Sequence, residues 1–317
     1  MYRGRPFAFS VRSAMLLLVV AAVVVFWGSR ELHYHMMIDK LQREGCILEY
    51  DESPVTFELD RLLGRSRSIR GVTINSEGST DQLEERDTDG CVLRVLATIR
   101  TLEFIQFHQK PLATFPNGIH FSNLKFLGFH NTVVDERTFP SGFCAEKLEH
   151  LEFSYTNVSD KELSCLKFPN LTTLIVRGSG RLITGDFLKS MAHKSNLEEL
   201  DIVDSNLRFR NLRHLESFPN LRTLSIQFET LGFSRFPHLP RLLSLTLYVD
   251  HLDERLIAGL SHLESLSTLV VYPDTVSPDL VGVVRSNRHL ELRGRARIEE
   301  YFDSFKKRPL SNPELDE

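Results

Sequence analysis

Leu197–Leu207 reads LEELDIVDSNL, with a leucine or isoleucine at its first, fourth, sixth and eleventh places. The spacing returns along the chain. Units opening on Leu102, Leu124, Leu148, Leu171, Leu197, Leu221, Leu242 and Leu266 follow one another at 22, 24, 23, 26, 24, 21 and 24 residues. With the opening leucine at offset 0, offset 3 holds Ile105, Leu127, Leu151, Leu174, Leu200, Leu224, Leu245 and Leu269. Offset 5 holds Phe107, Phe129, Phe153, Val176, Ile202, Ile226, Leu247 and Val271. Offset 10 holds Leu112, Val134, Val158, Arg181, Leu207, Leu231, Leu252 and Val276. Of these 32 positions 31 are apolar, where 42% hydrophobic composition would supply about 13 in an arbitrary register. Leu182 follows the exception, Arg181, as a one-residue insertion would place it. Alternate apolar residues around offsets 3 and 5 predict a short strand, and a period near 24 predicts one such strand per unit. One unit cannot bury its leucines alone, so its neighbours must supply the core.

The pattern Leu-x-x-Leu-x-Leu-x-x-Asn-x-Leu, met except at Asn, covers about residues 102–290 and resembles the leucine-rich repeat family. At the asparagine place stand Lys110, Thr132, Thr156, Ser179, Ser205, Glu229, Asp250 and Asp274. Six of these eight are short side chains able to hydrogen-bond a turn backbone. Helix-start signals follow: Asp160 before Lys161–Leu166, Asp253 before Glu254–Leu260, and Ser277-Pro278-Asp279. The resemblance implies an α/β leucine-rich repeat solenoid: a curved array with a parallel concave sheet and short convex helices or 3₁₀ turns.

Composition narrows the class. Leucine accounts for 48 of 317 residues, net charge is −4 and the sequence pI is near 6.3. A basic nucleic-acid-binding face is not expected, and four scattered cysteines do not make a disulfide scaffold. Arg3, Arg5 and Arg12 precede the apolar run Ala14–Trp27, which includes Leu17, Val20 and Val24. Such a run suits a signal-peptide core, a buried helix or a short membrane span. Bulky Val25, Phe26 and Trp27 disfavour cleavage, Trp27 suits a far interface, and no amphipathic face supports burial.

The organisation expected is therefore a cytoplasmic basic segment at 1–13, a transmembrane signal anchor at 14–28 and a linker with N-terminal cap at 29–101. The repeat domain follows at 102–300 and a disordered tail at 301–317. Cys46–Tyr50 and Ile69–Ile74 read as strands of the cap, and the polar stretch between Ser76 and Gly90 as a loop. The order of these parts resembles bacterial, N-terminally anchored leucine-rich repeat proteins. That resemblance implies a single-pass membrane protein with its N-terminus in the cytoplasm and its repeats on the other side.

Offsets 2, 4 and 6 point away from the leucines and form three columns. The first column runs from Phe104 and Phe126 through His150 to Glu199. The second contains Gln106, Glu152 and Asp201; the third contains His108, His130, Arg177, Tyr248 and Tyr272. Solvent-facing aromatics suit recognition, although a capping segment over Phe104 and Phe126 is the plainer alternative. Glu152, Glu199, Asp201 and Asp204 suit a basic partner, or simply a solvated face. His108 and His130 share a column with His150 one rung on, but no third metal ligand is fixed beside them, so no metal is expected. No phosphate loop, zincin helix or nucleophile elbow occurs, and no cofactor is expected.

Cys144 and Cys165 read as buried small residues, while Cys46 and Cys91 share the cap, with their pairing left open. Asn157-Val-Ser and Asn170-Leu-Thr match the glycosylation sequon. The function expected is non-catalytic recognition of an unknown protein or envelope polymer through the concave face, with a membrane held by the N-terminal helix and no nucleic acid. The alternatives are a cytoplasmic substrate adaptor of a ligase-type complex and an enzyme using the histidines and acids of that face.

Overall fold

A leucine at offset 0 followed by apolar side chains at offsets 3 and 5 has one low-energy arrangement: an extended backbone whose alternate side chains enter the core. The computed structural model describes residues 36–43, 46–50, 69–75, 88–109, 115–135, 138–140, 142–180, 182–191, 194–228, 235–276 and 290–292. Eleven strands form one sheet, each lying beside its neighbours in sequence. They are β1 Cys46–Tyr50, β2 Ile69–Asn75, β3 Phe104–His108, β4 Phe126–His130, β5 His150–Ser154 and β6 Thr173–Gly180. Then come β7 Glu199–Ser205, β8 Thr223–Phe228, β9 Ser244–Leu252, β10 Thr268–Val276 and β11 Leu290–Leu292. β1 pairs antiparallel with β2, and every later pairing is parallel. Pairing is like with like: Phe104↔Phe126↔His150↔Thr173↔Glu199↔Thr223↔Ser244↔Thr268 runs across eight strands.

The core lies on one side of this sheet. Leu127, Leu151, Leu174, Leu200, Leu224 and Leu245 are fully buried, as are Phe129, Phe153, Val176, Ile202, Ile226 and Leu247 beside them. Phe107, Phe129 and Phe153 stack at 5.2 Å between ring centroids, with interplanar angles of 4° and 7°. Each such buried side chain contributes about 1.5–3 kcal/mol, and each aromatic contact adds about 0.5–1.5 kcal/mol.

Register is set where each strand begins. Glu103 O accepts the amides of both Lys125 and Phe126, at 2.8 and 2.9 Å. The same two-amide acceptance recurs at Lys125, Glu149, Thr172, Glu198, Arg222 and Leu243. A parallel ladder of asparagines stands one residue before the opening leucine. Asn123 Nδ2 donates to Arg100 O at 2.6 Å and Asn170 Nδ2 to Glu146 O at 2.7 Å, while Asn196 and Asn220 donate to Pro169 O and Ser195 O. Both sequon asparagines thus serve the fold, since Asn157 Oδ1 accepts the Val134 amide at 2.6 Å.

The turn after each strand differs between the earlier and the later units. Offset 7 is left-handed in five successive units, at Gln109, Asn131, Tyr155, Gly178 and Asp204, with φ between 49° and 67°. The later units carry Phe228, Val249 and Pro273 there, residues for which that region is costly or closed. The chain stays extended there instead, and β9 and β10 run nine residues each without the positive φ that Gly178 and Asp204 bring into β6 and β7.

Several expectations need correction. The described fold is a mixed α/β arrangement of one eleven-stranded sheet with few, short helices, in place of the leucine-rich repeat solenoid with an N-terminal transmembrane helix. A helix in every unit does not occur. Residues 115–125 and 142–149 between the early strands hold none, because Phe115, Phe121, Phe139, Phe143 and Phe168 fill the core there from irregular backbone broken by Pro116 and Pro140. The helices present include residues 36–43 (α1), Thr88–Ala97 (α2), Asp160–Ser164 (α3), Phe187–Ser190 (α4), Phe209–Leu212 (α5) and Glu254–Leu260 (α6).

The longest of them, α2, has ten residues, about 15 Å against the roughly 30 Å of a bilayer core. No helix among the described residues is long and apolar enough to cross a membrane. The single-pass membrane placement, with the repeats on the non-cytoplasmic side, is therefore withdrawn. Ala14, Leu17, Val20, Val24 and Trp27 lie outside the described residues, as do the segments 1–13 and 301–317, Leu231 and Ser277-Pro278-Asp279.

Smaller corrections follow from geometry. Ser159, not Asp160, caps α3: its side chain accepts the Lys161 amide at 3.2 Å, and Glu162 reaches back to the Ser159 amide. Asp160 instead reaches the next unit, where it accepts from the Thr184 amide and hydroxyl at 2.8 Å each, from Gly185 N at 3.1 Å and from Phe187 N at 3.3 Å. Asp253 does cap α6, through the Leu256 amide at 2.8 Å. The insertion at Arg181 is two residues long, since Leu182 is 48% exposed and Ile183 takes the core place. Cys165 is exposed and Cys144 half-buried; the Cys91 side chain lies outside those described.

Leu200→Asp places a lone carboxylate in the middle of this core. It should cost about 4 kcal/mol or more and abolish the cooperative melting transition followed by circular dichroism. An unchanged transition would show that offset 3 does not face the core.

Candidate functional site

The face of the sheet opposite the core carries every candidate residue read from the columns. Strand alternation puts offsets 2, 4 and 6 there, and in-register pairing turns equal offsets into rows of touching side chains. Phe104, Phe126 and His150 stack in sequence, with centroids 4.5 and 4.7 Å apart and planes 18° and 19° from parallel. All three are half-buried, so the described residues do not cover them completely. Two glycines make room. A Cβ at Gly128 would lie 2.8 Å from Phe126 Cε1, and one at Gly71 would lie 3.2 Å from Phe104 Cδ1.

The third column supplies two further aromatic contacts. His108 and His130 lie 5.0 Å apart, and Tyr155 meets His130 edge-on at 5.8 Å. Tyr155 is 62% exposed and sits in a left-handed turn. Its ring occupies the space a Cβ at Gly178 would need, at 2.6 Å. Far along the sheet, Tyr248 and Tyr272 stack at 4.6 Å and 4°.

Between these aromatic groups lies the charged centre. Arg177 Nε donates to Asp201 Oδ2 at 3.0 Å, and Nη2 donates to the same oxygen. Arg177 is paired in register with Val203 and Asp201 with Ile175, so the ion pair is diagonal. Long side chains reach that distance. Asp201 is 4% exposed, whereas the Arg177 side chain is 52% exposed. Burial pushes the Asp201 carboxyl up from its ordinary value, opposed by the Arg177 guanidinium. The hydrogen bond to Asp201 raises Arg177 in turn. Glu152 accepts the Ser154 hydroxyl at 2.7 Å, and Glu199 receives Thr173 Oγ1 at 3.5 Å. Burial lowers His150 below the ordinary histidine value, with Glu152 and Glu199 acting against it. Burial likewise raises the Tyr248 phenol.

Arg177 was legible only as a column member; what the sequence reading missed was its diagonal partnership with Asp201. The signal was an opposite charge two places away on the next strand. The acidic group is also less uniform than its letters suggest: Asp201 is buried and paired, Glu152 and Glu199 are half-exposed, and Asp204 is exposed at a turn. His108 and His130 lie beside each other, but among the described residues no group of three His, Cys, Asp or Glu is placed to hold a metal ion.

No protein-family model matches the chain, and no curated protein matches it.

Arg177→Ala strips the counter-ion from a buried carboxylate and should cost about 1–3 kcal/mol. The further change Asp201→Ala should restore part of that loss in urea unfolding. Strictly additive losses would show that the two side chains act independently.

Proposed function

We propose that this protein recognises a partner protein through the sheet face opposite its core. The reading rests above all on the row Phe104–Phe126–His150, three half-exposed rings in one stack. Large aromatic rings left at a surface, as Phe104 and Phe126 are, are what protein interfaces concentrate in their centres. Stacked as they are, the rings turn their edges outward, giving a rigid apolar ridge that loses little side-chain freedom on binding. The Tyr248–Tyr272 pair offers a second ridge that begins four strands beyond His150, roughly 19 Å at 4.8 Å per strand. The charged centre between them gives register and orientation more than affinity. No chemical step is assigned to the face.

The test is photo-crosslinking capture from source-cell extract with the full chain as bait. Phe104→Ser/Phe126→Ser should keep the melting transition and lose a partner held by the unchanged protein. Tyr248→Ser/Tyr272→Ser repeats the test at the second ridge should the first variant fold poorly. Equal capture by folded variants, or capture by none of the baits, would contradict the proposal.

A further inference from the structure

The face is unevenly charged where β5, β6 and β7 meet. Glu152, Glu199 and Asp201 bring three carboxylates to these rungs, with Asp204 at the following turn. Among the described residues of these strands, Arg177 is the only lysine or arginine on that face. Its Nε and Nη2 both donate to one oxygen of Asp201, Oδ2. The other oxygen, Oδ1, is buried and has no hydrogen-bond partner among the described residues. A buried acceptor left unmatched is costly, and a donor that completes it regains that cost. Among the described residues Glu199 is bonded only at the outer limit of hydrogen-bond distance, by Thr173 at 3.5 Å, so its carboxylate is also under-used. Two neighbouring features suit a long cationic side chain. His150 closes the aromatic ridge two places before Glu152 on the same strand and two rungs from Glu199, and a lysine or arginine stem packs its methylenes on apolar surface while its head group reaches an acid.

On the reading of this face as a recognition surface, we propose that rungs β5–β7 take a basic segment of the partner protein. Its lysine or arginine head groups meet Glu152, Glu199 and Asp201, and their stems lie along the Phe126–His150 ridge. Attraction of this kind weakens as salt rises.

The experiment is fluorescence anisotropy of the full chain with two labelled probes, a repeating Arg-Ser decapeptide and a repeating Glu-Ser decapeptide. The Arg-Ser probe should bind and the Glu-Ser probe should not. Glu152→Gln/Glu199→Gln should weaken Arg-Ser binding about tenfold or more. Glu254→Gln/Glu264→Gln, which removes the same charge from exposed positions off the face, should weaken it less than about twofold. Equal weakening by both double variants would overturn the proposal in favour of net charge alone, and so would absence of Arg-Ser binding by the folded protein. Should Phe104→Ser/Phe126→Ser lose a captured partner while the Arg-Ser probe fails to bind, the recognition surface stands and its basic partner falls.

Discussion

The carbonyl ahead of each strand from β3 to β9 accepts two amides from the next unit, and the rest of the structure depends on that repeated bond. It recurs from Glu103 to Leu243 without interruption, which locks successive strands with equal offsets side by side. A slip of one residue would send every leucine to the opposite face. Core and candidate site are therefore one decision. The bond that puts Leu127 beside Leu151 also puts Phe126 beside His150. The asparagine amides at 123, 170, 196 and 220, and the Asp160 carboxylate, tie the return segments of neighbouring units in the same manner.

The strand positions were legible because one-dimensional spacing is what a strand needs: offsets 3 and 5 name the buried side chains, and alternation names the exposed ones. The return segments were not. A helix-start reading of Asp160 was reasonable from its letters, yet the neighbouring Ser159 took the cap and freed Asp160 to bridge units. That choice depends on a unit 24 residues away, so local spacing cannot show it. The turns were partly readable, since Val249 and Pro273 resist the left-handed conformation that Gln109, Asn131 and Asp204 adopt. The phenylalanine cluster behind β3–β5 shows how tertiary packing overrides a unit pattern. Rings from Phe115, Phe139 and Phe143 fill the volume that helices fill elsewhere.

The candidate site divides along the same line. Its columns were legible from alternation, and so were its aromatics and acids. The Arg177–Asp201 pair was not, because a diagonal contact depends on register and on side-chain reach together. Burial then separates residues of identical chemistry: Asp201 is enclosed and raised in pKa, while Glu152 and Glu199 remain half-exposed. The membrane expectation had a different source. It rested on Ala14–Trp27, outside the described residues, and no described helix has the length to sustain it.

In-register pairing of the exposed columns is the central claim, and thiol crosslinking measures it directly. In a chain whose four cysteines are replaced by serine, Thr223→Cys/Ser244→Cys places two thiols on adjacent rungs, about 5 Å apart. A short bifunctional thiol reagent such as dibromobimane should link them efficiently. Thr223→Cys/Thr268→Cys, two rungs and about 10 Å apart, should link poorly under the same conditions. Equal linking of both pairs, or preferential linking of the second, would contradict the register from which core and recognition face are both derived.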